Sequence, residues 1–351
     1  MSAWKPPIFM SKTAAMSGQE TFWLWGWLTY RLGLLLDRLG PWLLRNAPSF
    51  GRLYANAIRG RAPRLGVVPG WRYAHECYPP SPWWVMRRRA LWQCALDHQL
   101  DVSVIALWLA GTRVGVSLGN NSGLFLYVCG SYEPNELAFV DRVLHPGMTF
   151  IDIGANEGLY SLFAARRVGP SGRVIAVEPS SRERAILQAN LARNQIDNVT
   201  VVPNALADRP GAAELKIAPT SHGGHNTLGQ FVYEGDSAVA RENVAVETLD
   251  GLVERLGIAQ IDVVKVDIEG AELKLFAGGR NLLSRQRPTL LVEANDEALK
   301  RQGASAEALV DLLLSHDYQI QVFNESGMTE LCAQGGPLSE NIVAFAKEKA
   351  G

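Results

Sequence analysis

Two kinds of excess are missing from this chain of 351 residues: charge of one sign, and cysteine. Lysine and arginine number 34 against 35 aspartates and glutamates, a formal net charge of −1. No global field therefore favours nucleic acid or another strongly charged partner. The four cysteines, Cys77, Cys94, Cys129 and Cys332, lie far apart, without the close pairs that a zinc site or a redox motif needs. They read as reduced thiols of a cytoplasmic protein. Met1 to Glu20 lacks the long apolar core followed by small residues that marks a secretory leader. A membrane span is not expected either. Phe22, Trp23, Trp25, Trp27 and Trp42 sit among many leucines, but Arg31, Asp37 and Arg38 interrupt the stretch. No charge-free run approaches the roughly 20 residues that a spanning helix requires. Internal repeats and low-complexity blocks are also lacking.

What remains is a globular composition, 47% apolar and 20% charged, and a length that predicts one large unit with a smaller appendage. The pattern divides the chain into a Trp- and Pro-rich region at 1–82, a helical and hairpin lead-in at 83–148, and a main domain at 149–351. Within Phe22 to Leu44, the residues Gly26, Thr29, Gly33, Asp37 and Gly40 recur at spacings of three and four, forming one narrow stripe of a helix. Two readings stand for it: a peripheral membrane or partner-docking helix, or a helix that caps the main domain. Prolines at 48, 63, 69, 79, 80 and 82 make 45–82 read as linker. Residues 113–128 alternate around Gly119-Asn120-Asn121-Ser122-Gly123, a hairpin signal. An amphipathic helix follows over 137–144.

From Thr149 short apolar strands alternate with helical segments, which predicts a mostly parallel sheet covered on both faces. Strands are expected at about 149–153, 173–178, 199–202, 263–267 and 289–293, with two more closing the chain at 319–323 and 342–346. Helices are expected near 157–168, 182–194, 249–256, 272–284 and 304–316. Such a sheet binds its ligand beyond the carboxyl ends of its strands. There the first strand runs into Asp152-Ile153-Gly154-Ala155-Asn156-Glu157-Gly158. A dinucleotide loop would offer Gly-x-Gly-x-x-Gly for a pyrophosphate on the helix N-terminus. Here the spacing is Gly154-x-x-x-Gly158, and a carboxylate that would repel a pyrophosphate would attract an ammonium. The second strand ends in Glu178-Pro179, where a carboxylate can accept both hydroxyls of a ribose. Asn204 and Ala205 follow the third strand, where an adenine edge would lie. Together these favour a nucleoside bearing an amino acid over a phosphate-rich cofactor.

These residues, with Gly130-Ser131-Tyr132-Glu133-Pro134, Val244 to Asp250, Val264 to Glu272 and Asn341-Ile342-Val343, resemble the FkbM-type methyltransferase family over roughly two thirds of the chain. The resemblance implies an α/β, Rossmann-like class I methyltransferase sheet, mostly parallel with a final antiparallel strand, preceded by the hairpin and the N-terminal helical region. It implies transfer of the S-adenosylmethionine methyl group to a hydroxyl, usually of a sugar, glycolipid or secondary metabolite. By it Asp152, Gly154, Asn156, Gly158 and Glu178 would touch the cofactor, with Glu133, Ala155, Tyr160, Pro179, Asn204 and Ala205 completing the cofactor set and Asp267 at its reactive end. The first eighty residues lie outside the resemblance.

On the fourth strand Val263, Lys265 and Asp267 share one face, so the two charges must pair with each other, with neighbours or with a ligand. An alcohol needs a proton acceptor or a metal ion nearby. Asp267, Glu269 and Glu293 are expected to converge as a base cluster, or Asp267 and Glu293 as oxygen ligands for magnesium. His225, in the loop Ser221-His222-Gly223-Gly224-His225, is a second base candidate. Glu272 reads as a helix-start carboxylate. The expected acceptor is a small molecule or a glycan- or lipid-linked hydroxyl; a non-catalytic scaffold using the Trp-rich segment is the alternative.

Overall fold

The computed structural model describes residues 38–60, 62–71, 82–220, 223–231, 238–333 and 335–349. Most of the Phe22 to Leu44 segment lies outside them, as does His222. The stretch expected to be linker begins with helix, up to Ala57, and its other described residues, 58–60 and 62–71, are irregular as expected. Residues 38–46 form a helix, and Pro48–Ala57 and Pro82–Asp97 follow. Both later helices start at a proline, which is tolerated in a first turn because its missing N–H would be unpaired there anyway.

The hairpin is also displaced from its expected position. It pairs β1 (Ser103–Leu107) with β2 (Arg113–Ser117), burying Val104, Ala106, Val114 and Val116 on one side as a period of two requires. The apolar run expected as its second strand, Gly123–Cys129, is a wide π-helical turn ending at Gly130. A short apolar run does not by itself distinguish a strand from a buried helix.

The main sheet begins with β3 (Thr149–Ile153), β4 (Arg173–Val177) and β5 (Val199–Val202). An unexpected three-stranded sheet then interrupts it, built from β6 (Ala205–Leu206), β7 (Gly211–Ile217) and β8 (Ala240–Glu247) in the order β6-β8-β7. The chain returns with β9 (Val263–Val266), β10 (Thr289–Glu293), β11 (Tyr318–Phe323), β12 (Thr329–Leu331) and β13 (Asn341–Ala346). The spatial order is β12-β11-β13-β10-β9-β3-β4-β5. From β10 to β5 every pairing is parallel, while β13 is antiparallel to both β10 and β11. The last strand thus sits inside the sheet, between two strands made before it.

Each central strand divides its side chains between two cores. Phe150, Val263, Leu291 and Val343 point to one, which also holds Leu44, Ala55 and Leu91 from the early helices. Ile151, Ile153, Val264, Val266, Leu290 and Val292 point to the other. All ten of these sheet residues are at most 1% exposed, and complete burial of such a side chain contributes about 1.5–3 kcal/mol. The helix expected over 272–284 breaks into Glu272–Ala277 and a π-helical turn at Leu282–Gln286, with Gly278 and Gly279 between. Among the described residues no helix is long and apolar enough to cross a membrane.

Candidate active site

The site grows out of the crossing of β3, β4 and β9. Asp152 on β3 lies directly opposite Lys265 on β9, on the same face, with 1% and 4% exposure. Asp152 accepts a hydrogen bond from Ser161 Oγ at 2.6 Å. Lys265 Nζ donates to Asp267 Oδ2 at 2.9 Å and stands 4.9 Å from the Tyr160 ring centre. Burial works against the lysine's charge, yet Asp267, Asp152 and Glu133 around it hold its pKa above the usual range. The pairing predicted for this strand is therefore a network of four charges, which is how buried ions are tolerated.

After β3 the backbone turns sharply. Gly154 has φ +80°, and a Cβ placed on it would lie 1.8 Å from the Asp267 carbonyl oxygen. Only glycine admits that approach. Gly154 N and Ala155 N both donate to Val177 O. Asn156 N donates to Glu178 Oε2 and Ser180 N to Glu178 Oε1, each at 2.8 Å. Glu178 thereby ties the loop to the end of β4, and its burial pushes its carboxyl up to about 7.

A cavity of about 1380 Å³ opens above these strand ends. Glu133, Gly154, Ala155, Asn156, Tyr160, Glu178, Pro179, Asn204, Ala205 and Asp267 all line it, as do the base candidates Glu269, Glu293 and His225. Two expected cofactor residues are not in the lining. Asp152 lies behind the wall beside Lys265, one carboxylate oxygen accepting from Ser161 and the other, Oδ1, without a protein partner. Gly158 (φ +91°) serves packing: a Cβ there would meet Leu187 Cδ1 at 2.3 Å. Glu272 does what its place suggested, accepting from Ile268 N and Gly270 N at 3.1 and 3.2 Å.

The electrostatics are one-sided. Eight glutamates and Asp267 line the cavity against Lys265 alone. Glu133 accepts from Tyr160 Oη at 2.6 Å; burial and the neighbouring Glu136 raise its carboxyl to about 8. Enclosure, then the Asp267 charge, pushes Glu269 and Glu293 well above the ordinary carboxylate range. Glu340 is raised by the same two causes. Buried oxygens of Glu136, Glu157 and Glu293, and Asn156 Oδ1, have no protein partner, so they are available to donors on a ligand. Magnesium fits less well. Asp267 Oδ2 is taken by Lys265, and among the described residues no group of three His, Cys, Asp or Glu is arranged to hold a metal.

Glu136, Glu157, Glu340, Trp71 and Phe323 also line the cavity and were not anticipated. Glu136 carried one weak signal, its place three residues after Glu133; Asn341 Nδ2 reaches it at 3.4 Å. For Glu340 only its position before the last strand points inward.

With strand order, glycine turn and acidic strand ends in place, residues 152–320 match the methyltransferase FkbM domain. Those residues, just under half of the chain, form a methyltransferase FkbM domain. The eight-stranded sheet, mostly parallel with a final antiparallel strand, has the architecture that the resemblance implied. AMB antimetabolite synthetase AmbE of Pseudomonas aeruginosa is 28% identical over 278 residues, 67% of this chain but 12% of that protein. The 2-O-methyltransferase NoeI of Sinorhizobium fredii is 26% identical over 192 residues, 50% of this chain and 75% of NoeI. The chain thus spans about an eighth of the first relative and three quarters of the second. The crystal structure of methyltransferase FkbM from Methylobacillus flagellatus aligns with a TM-score of 0.38 at 17% identity, covering 63% of this chain and 52% of that one.

Proposed function

We propose that this chain transfers the methyl group of S-adenosylmethionine to a hydroxyl of a sugar, glycolipid or secondary metabolite. The observation that carries the reading is the one-sidedness of the cavity: its described lining holds eight glutamates and Asp267 but one lysine, so a bound cation favours ionisation of carboxyls that burial otherwise holds protonated. A cofactor with a sulfonium and an ammonium finds compensation there, whereas a nicotinamide dinucleotide would bring its pyrophosphate against carboxylates.

When bound, S-adenosylmethionine supplies an electrophilic methyl group on a positively charged sulfur. Glu178 holds the ribose hydroxyls with the lone pairs that Asn156 N and Ser180 N leave open. Ala205 and Leu206 flank the adenine, and Glu133 with Tyr160 faces the amino-acid end. Asp267, fixed by Lys265, marks the methyl end. The acceptor occupies the remaining space, where Trp71, Phe125 and Phe323 offer flat apolar faces beside Glu136 and Glu340, a combination suited to the C–H and O–H faces of a sugar. Charge is lost as methyl moves, so no oxyanion hole is required. Alignment of the acceptor oxygen supplies about 7–11 kcal/mol, and its proton passes to the cluster Asp267, Glu269 and Glu293, or to His225. A phosphate-bearing acceptor is disfavoured, because Lys265 is already surrounded by carboxylates.

NoeI, as a 2-O-methyltransferase, supports oxygen as the atom methylated. The test is calorimetry with S-adenosylmethionine on the wild-type and Glu178→Ala proteins, followed by labelled methyl transfer to glycan and lipid extracts. Absence of binding to the wild type, or equal binding by the variant, sinks the cofactor assignment; label appearing only on nitrogen or carbon sinks the hydroxyl acceptor.

A further inference from the structure

The cavity's acid has a counterpart at the other end of the composition. Residues 38–75 contain seven arginines and no aspartate, glutamate or lysine, so the rest of the chain holds 27 basic residues (34 less 7) against 35 acidic ones. In the described part, Arg38, Arg45, Arg52, Arg59 and Arg64 are all exposed. They do not stand alone. Trp42 is 52% exposed, Phe50 66%, Leu53 67% and Met86 68%.

The arrangement follows from how the helices pack. In helix 38–46, Gly40 and Leu44 form the buried stripe; in Pro48–Ala57, Gly51 and Ala55 do. Leu44 and Ala55 enter the same core, against Leu91 and Ala95. At 3.6 residues per turn, Trp42 falls opposite the first stripe and Leu53 opposite the second, with Leu39 and Phe50 about 120° round from the stripes. Each helix is therefore apolar on two sides, one inward and one outward, with arginines flanking the outward apolar residues.

We infer that this outward face docks on an anionic lipid bilayer. Arginine supplies attraction to the negative surface, and Trp42, Phe50, Leu53 and Leu39 supply apolar side chains that enter the headgroup boundary. A nucleic acid would use the arginines but has nothing for exposed leucines and Met86 on convex helices. This face, formed by 38–65, shares its first residues with the Phe22 to Leu44 segment, the rest of which lies outside the described residues. It also lies close to the chemistry. Leu65 is exposed and Gly70 lines the cavity, five residues apart and so at most about 18 Å along the chain.

The experiment is co-sedimentation of the full chain with vesicles of equal parts phosphatidylglycerol and phosphatidylcholine, and with phosphatidylcholine alone. Binding is expected to the anionic vesicles only and to weaken with salt. At about a fivefold effect per arginine, Arg45→Gln/Arg52→Gln/Arg59→Gln lowers partitioning about 100-fold. Trp42→Ser/Phe50→Ser/Leu53→Ser is expected to abolish it, with melting temperature and S-adenosylmethionine affinity unchanged in both variants. No binding, equal binding to both vesicle types, binding unaltered by the arginine variant, or displacement of the protein from vesicles by an RNA oligonucleotide overturns the inference. Should the apolar variant melt early, the arginine variant, which changes only exposed side chains, decides alone. Failure of methyl transfer leaves this test untouched, since vesicle binding is read without turnover.

Discussion

Lowering the pH from 8 to 6 should weaken S-adenosylmethionine binding by at least about tenfold. Glu178 stands at about 7 because it is buried between Asn156 N and Ser180 N. About ten elevenths of it is ionised at pH 8 and about one eleventh at pH 6, by the one-proton relation that underlies linkage. If only the carboxylate receives the ribose and balances the cofactor's positive charge, affinity follows that fraction. Glu133, raised to about 8, takes part at the amino-acid end; by the same relation it adds a factor of about 50 and steepens the dependence towards about 5 × 10²-fold. Calorimetry at pH 6, 7 and 8, in two buffers of different ionisation enthalpy, reads both affinity and protons released. Roughly half a proton or more should leave on binding at pH 7, and Glu178→Gln should remove much of the pH slope. Constant affinity over this range with no proton release refutes the reasoning. Loss of fold does not account for weaker binding at pH 6, because the unliganded protein is stabilised in that direction. A carboxyl whose folded pKa exceeds its unfolded value holds its proton better when folded. Its contribution is complete below about 4.5 and is lost as pH rises through the folded value.

By that sign, Glu157, Glu178 and Glu272, all raised to about 7 by burial, should make the melting temperature of the unliganded protein fall between pH 5.5 and 8; a flat or rising profile contradicts it. Gly154→Ala should cost about 3 kcal/mol or more in urea unfolding, since its Cβ meets the Asp267 carbonyl at 1.8 Å and overpacking combines with a left-handed backbone. Lys265→Met should cost about 3 kcal/mol at pH 8, because Asp152 and Asp267 lose the cation between them, and less at pH 5.5. Glu293→Gln should lower kcat about 10²-fold with little change in S-adenosylmethionine affinity; an unchanged kcat removes Glu293 as proton acceptor.

The parallel core was legible because strands buried on both faces read as near-continuous apolar runs, as in Arg173–Val177 and Thr289–Glu293. The loop from Gly154 was legible because glycine and carboxylate types are set by backbone approach and charge. Other parts were hidden for physical reasons. β7 and β8 are only partly buried, so their alternation is weak. Gly123–Cys129 is helical through tertiary contact, with Leu126, Tyr127 and Val128 buried, against its strand-like composition. Asp152 stood at the expected strand end, yet whether a side chain there faces the cavity or the lysine behind it depends on register with β9, which one strand's sequence does not encode. Glu136 and Glu340 come together from opposite ends of the fold.

The place of β13 has a consequence for how the protein is made. Its partners β10 and β11 are both synthesised earlier, so neither can complete its pairing on that side until Asn341–Ala346 is available. Glu340 and Asn341 reach the cavity wall in that same event, so completion of the sheet and completion of the acceptor end are one step. A nascent or shortened chain lacking it would present adhesive edges to its neighbours, and chaperone demand should concentrate at that late moment.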